Sequence, residues 1–145
     1  MSADYTTAPA ATTALTATAV PSARSLLRGW AVATVLAAAA TATVAAAGQG
    51  LGASLAVSGA PIPPSGFAVT TVIFAVLGLV IALLLRRFTG RPRSNWIRTT
   101  VALTVLSWVP DVLADADTST TAVLMTTHLV AAAIVIPAVA RRLRP

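Results

Sequence analysis

The chain has 145 residues, of which 57% are hydrophobic, 10% charged and 5% aromatic. That balance excludes a disordered polar chain and argues against a water-soluble globule, leaving one membrane-embedded domain as the expected class. With no cysteine, no glutamate and 1 histidine, it also excludes a disulfide framework, a thiolate zinc site and a cysteine nucleophile.

Residues 1–23 are a run of Ala, Thr and Ser with two prolines, one acid and no apolar period. Such a stretch has too few large side chains to offset the entropy of ordering, so a disordered cytoplasmic tail is expected. Residues 24–145 then form the second unit, with four low-charge stretches at about 27–47, 67–85, 97–114 and 122–140. At 1.5 Å per residue each reaches roughly 27 to 31 Å, the thickness of the hydrocarbon layer. The fold class is therefore all-α, a bundle of four transmembrane helices. The stretch 67–85 is the most apolar. The stretch 97–114 is the least, since it holds Arg98, Pro110 and Asp111, and an interfacial or re-entrant segment is its alternative.

All 10 basic residues are arginine, and they sit between apolar blocks instead of along one exposed face with interleaved aromatics. Nucleic acid is thus not the expected partner. Arg24 and Arg28 precede the first stretch; Arg86, Arg87, Arg91, Arg93 and Arg98 lie in or beside the middle linker; Arg141, Arg142 and Arg144 follow the last. Linkers 48–66 and 115–121 have none, and the second carries Asp115 and Asp117. Because basic loops stay on the cytoplasmic side, both termini should be inside, in a multi-pass protein of the cell membrane. Arg86, Arg87, Arg91, Arg93, Arg141 and Arg142 are then placed to contact the anionic inner leaflet. Trp30 and Trp96 fall at inner ends, where indole favours the headgroup level. A cleaved secretory signal remains the alternative for the first stretch, its small triplet Ala45, Ala46 and Ala47 supplying the cleavage site and leaving three spans.

In lipid, helices associate through close backbone approach and polar groups. Thr34, Ala38, Thr41 and Ala45, continuing to Gly48 and Gly52, mark one face of the first helix. Thr71, Ala75, Gly78 and Ala82 mark a matching face of the second. The third carries a polar stripe, Thr100, Thr104 and Ser107, running on to Asp111 and Asp115. Its hydroxyls either bond carbonyls of their own helix or line a water-filled path, and the first is favoured. Pro110 and Pro137 each remove an amide hydrogen, from the carbonyls of Leu106 and Ala133, so kinks are expected. Thr120 or Ser119 is the expected cap of the last helix, with Asp115 and Asp117 favouring its positive end.

Asp111 and His128 are the candidate intramembrane pair. Antiparallel neighbours place them at similar depth, and a buried acid within a span is a candidate functional site. A hydrogen bond that fixes helix register is the simpler reading; handling of protons or a small solute is the other. Other motifs fail. Gly48 to Ala53 has no strand before it for a dinucleotide site, and the twelfth position of a calcium loop begun at Asp115 falls on Thr126. The expectation is a protein with no catalytic residues, no metal and no cofactor, and hence not an enzyme.

The chain resembles an actinobacterial family of small four-helix membrane proteins known as domain of unknown function 6069. The resemblance rests on Arg28-Gly29-Trp30-Ala31-Val32, on Arg86-Arg87-Phe88-Thr89-Gly90-Arg91-Pro92-Arg93, and on His128-Leu129-Val130-Ala131-Ala132-Ala133 through Pro137 to Arg141-Arg142-Leu143. It covers residues 24–143 and implies an uncleaved multi-pass topology without implying an activity. The expected function is that of a non-enzymatic membrane component assembling with itself or a membrane protein partner. The alternative is a proton-linked or small-solute carrier using Asp111 and His128.

Overall fold

A computed structural model describes residues 23–143. Apart from Ala23, which opens the first helix, the expected tail lies outside the described residues, as does Arg144. The apolar stretches become α1 (Ala23–Gly50), α2 (Pro64–Phe88), α3 (Pro92–Leu113) and α4 (Thr118–Ala140). α1, α2 and α4 are long and apolar enough to cross a membrane.

The ends follow from local chemistry. α1 stops in a Schellman motif: Ala53 N donates to Gly48 O at 2.9 Å and Gly52 N to Gln49 O at 3.0 Å. Gly52 has φ +99° there, so it terminates the helix and does not extend the small-residue stripe. Pro64 and Pro92 start α2 and α3 at the position where a missing amide hydrogen costs nothing. Arg86 and Arg87 occupy the last turn of α2, where cations favour the negative end of the helix dipole.

The linker after α1 is not a plain loop. Ala56–Val57 pairs with Ala60–Pro61 as a short antiparallel hairpin. Its two-residue turn has φ 50° at Ser58 and 77° at Gly59, the positive values a type I′ turn requires.

α1 lies against α2 and α4, and α3 lies against α4 and more loosely against α2. The expected α1 and α2 faces meet: Thr41 Oγ1 and Thr71 Oγ1 are 2.9 Å apart, and Thr34, Thr41, Ala45, Ala75 and Ala82 are buried. Large side chains gather at the two ends instead. One cluster joins Leu26, Ala82, Trp96, Val139, Ala140 and Leu143; the other joins Ala45, Ala53, Leu55 and Phe67.

The tryptophans depart from the belt expected of them. Trp96 is 1% exposed, and its indole nitrogen donates to Ile136 O of α4 at 3.0 Å. Trp30 donates to Ala75 O of α2 at 2.8 Å. An indole needs one acceptor, and a carbonyl on a neighbouring helix serves as well as a headgroup while also tying the helices together. Pro110 and Pro137 both sit inside continuous helices.

Candidate functional site

Two polar constellations lie at the end of the bundle that carries the acids. The first joins the linker after α1 to the start of α4. Asp117 caps α4, accepting from Thr120 N at 2.8 Å through Oδ1 and from Thr120 Oγ1 at 2.8 Å through Oδ2. The hydroxyls of Ser119 and Ser54 donate to the same carboxylate. Thr120 in turn accepts from Leu55 N at 3.0 Å, and Ser58 N donates to Asp115 O at 2.7 Å. The cap is thus Asp117, in place of the expected Thr120 or Ser119. An acid just before an apolar run is a cap signal that the sequence offered. The reach back to Ser54 and Leu55 left no such signal, because those residues are far away in the chain.

The second constellation is the pair on α3 and α4, which the structure brings together. Asp111 lies in the last turn of α3, and its Oδ2 is 2.9 Å from Nδ1 of His128. The Asp111 side chain is 10% exposed and that of His128 35%. Nδ1 also lies 3.0 Å from Leu124 O, one turn back along α4. A carbonyl only accepts, so the Nδ1 that bonds it carries a hydrogen. That hydrogen is directed at Leu124, and Asp111 Oδ2, although close, receives no directed hydrogen bond. The other ring nitrogen, Nε2, has no hydrogen-bond partner among the described residues. The neighbouring Trp108, one turn before Asp111, keeps its indole N–H buried without a partner, and Thr34 of α1 does the same with its hydroxyl.

The stripe leading to Asp111 uses its hydroxyls within α3. Thr100 donates to Trp96 O at 2.7 Å, Thr104 to Thr100 O at 2.8 Å, and Ser107 to Thr104 O at 2.7 Å. Bonds of this kind satisfy a hydroxyl without presenting it to anything else.

The arginines assemble at the opposite end. Arg86 and Arg87 finish α2, Arg91 and Arg93 flank the start of α3, and Arg141 and Arg142 follow α4. Arg87, Arg91, Arg93, Arg141 and Arg142 are exposed, and the Arg87 guanidinium sits 5.7 Å from the Phe88 ring centre. Among the described residues, no three His or Asp side chains converge on a point that could hold a metal.

The model of a family of unknown function (DUF6069) matches residues 21–145, which takes in all four helices, both polar constellations and every arginine. The chain belongs to this family. DUF6069 therefore includes both the Asp111–His128 pair and the Asp117 cap within its matched span in this chain. No curated protein and no solved structure matches the chain.

Proposed function

We propose that this DUF6069 chain is a non-enzymatic component of the cell membrane, with four crossings, both termini cytoplasmic, that assembles with a second copy or with a membrane protein partner. The fourth crossing is supported by chain geometry. The bonds from Ser54 and Leu55 to Asp117 and Thr120 put the start of α4 at the same end as the exit from α1. α2 finishes at the other end. Only three residues, 89–91, and four residues, 114–117, flank α3, so its 22 residues return the chain along the bundle, which supports a fourth crossing. At 1.5 Å per residue that is about 33 Å, enough to span. The gathering of arginines at the end holding both described termini supports the inward orientation.

The single observation that carries assembly is the half-exposed His128 at the α3–α4 seam. Its Nε2 has no partner among the described residues, and an unsatisfied polar group in hydrocarbon costs several kcal/mol. A partner helix over this seam supplies the missing group and covers the large apolar side chains beside it, such as Val105 and Leu129. Single-cysteine crosslinking in native membranes tests this, since the chain has no cysteine of its own. Leu129→Cys should form a dimer or one stoichiometric adduct, and Val80→Cys on α2 should not. Equal crosslinking at both positions, or at neither, would remove the basis for assembly.

The same pair favours a second reading, a proton-linked or small-solute carrier, in which Nε2 meets water or solute. A pH-dependent flux in proteoliposomes that disappears in Asp111→Asn would select it.

A further inference from the structure

We propose that the groove between α1 and α4 at the arginine end is a binding seat for one anionic phospholipid, its phosphate held by Arg28, Arg141 and Arg142 and one acyl chain lying along Val32, Leu36 and Ile134.

The groove has a volume of about 610 Å³, within the roughly 300–1,000 Å³ range of small-molecule sites. Its chemistry is graded along its length. On α1 the lining steps from Arg28 to Val32 to Leu36, and on α4 from Arg142 and Arg141 back to Ile134. Three guanidinium groups thus stand at the mouth, and an apolar trough extends about 12 Å, eight residues of helix, toward the middle of the bundle. That sequence of charge and then hydrocarbon is complementary to a phospholipid, whereas a free anion would use the arginines alone and a neutral lipid the trough alone.

Among the described residues no carboxylate neutralises these charges. Asp111, Asp115 and Asp117, the carboxylates of the described residues, all belong to the other end of the bundle. Arg28, Arg141 and Arg142 are all exposed. Arginine presents a planar fork of donors matched to phosphate oxygens, so three of them around one opening favour a phosphate over a diffuse negative surface.

Gly29 adds an independent geometric feature. A Cβ placed there would come within 3.2 Å of Nε and 3.3 Å of Cγ of Arg142. The bare backbone at this position lets the Arg142 side chain cross from the end of α4 onto α1, next to Arg28. The guanidinium is thereby brought to the groove mouth instead of extending freely from the chain end.

The proposal rests on α1 and α4 crossing the bilayer with their arginine ends at the anionic leaflet, which is part of the proposed function. Native mass spectrometry of the full chain in a delipidating detergent tests it, titrated with phosphatidylglycerol, with phosphatidylcholine, or with inorganic phosphate. One phosphatidylglycerol per chain should persist, and phosphatidylcholine should bind at least tenfold more weakly. The double variant Arg28→Gln/Arg142→Gln should lower phosphatidylglycerol affinity about tenfold or more. Arg91→Gln/Arg93→Gln, with the same loss of charge at exposed positions outside the groove, should leave it unchanged. Val32→Trp, which fills the trough at an exposed position, should reduce lipid binding and leave the response to phosphate alone intact.

Equal loss in both arginine doubles would overturn the proposal in favour of general leaflet attraction. Full lipid binding by Val32→Trp would overturn it in favour of a phosphate site without an acyl trough. The same spectra report oligomeric state, so failure of the lipid seat and failure of assembly are seen separately.

Discussion

The hydroxyl of Ser119, then that of Ser54, then the amide and hydroxyl of Thr120 hold the Asp117 carboxyl well below the usual carboxylate range. The folded state therefore binds its proton less readily than the unfolded chain does. This contribution to stability is complete above the unfolded carboxylate value of about 3.9 and is lost as pH falls from there toward the lower folded value. Acidifying the detergent-solubilised protein below about pH 4 should lower its melting midpoint. Ser54→Ala/Ser119→Ala should flatten that dependence, as followed by circular dichroism across a pH series. Asp111 and His128 lend themselves to a different measurement. Asp111→Asn and His128→Gln should each destabilise the bundle, and their double-mutant cycle should show coupling of about 0.5–3 kcal/mol, as groups in contact do. Strict additivity would mean that the 2.9 Å approach contributes nothing to stability.

Among the elements, α1 and α4 pack tightly where glycine meets a branched side chain. A Cβ at Gly48 would lie 2.5 Å from Cγ2 of Val123, a contact that real atoms do not make. Valine in a helix has one favoured χ1 rotamer, so it cannot swing clear. Gly48→Ala should cost about 1–3 kcal/mol through overpacking, and Val123→Ala in the same chain should recover much of it. Thermal or denaturant unfolding of the single and double variants in one detergent measures both. The helices themselves were legible in the sequence, because low-charge apolar runs bounded by arginine, proline and glycine leave few other solutions. The stripe through Thr41 and Thr71 was legible too, since small residues at helical spacing have a physical use in lipid. The hairpin was not. Leu55, buried with φ 52°, is a large aliphatic residue in a conformation that glycine normally adopts, and no local pattern announces it. It is held there by Thr120, 65 residues further along. Trp96 misled for a different reason: indole suits an interface and a helix contact equally, and the carbonyl that decides between them belongs to α4.

For the whole molecule, the separation of charge between its two ends makes orientation testable. The hairpin tip at Gly59 and the turn at Gly90 belong to opposite ends of the bundle. In intact cells, an impermeant thiol reagent should label Gly59→Cys at once and Gly90→Cys only after the membrane is opened. Labelling of Gly90→Cys from outside would reverse the orientation. His128 and the Arg28, Arg141 and Arg142 groove lie toward opposite ends, so a partner helix at one and a lipid at the other need not compete.

The clasp between the α1 exit and the α4 cap also orders events during synthesis. When the ribosome has delivered only the first two helices, the Leu55 amide and the Ser54 hydroxyl have no Asp117 or Thr120 to meet. The segment leading into the hairpin must wait without these partners, and α4 is the helix that supplies them. A chain lacking residue 117 onward would therefore leave the Ser54 hydroxyl and the Leu55 amide without these partners.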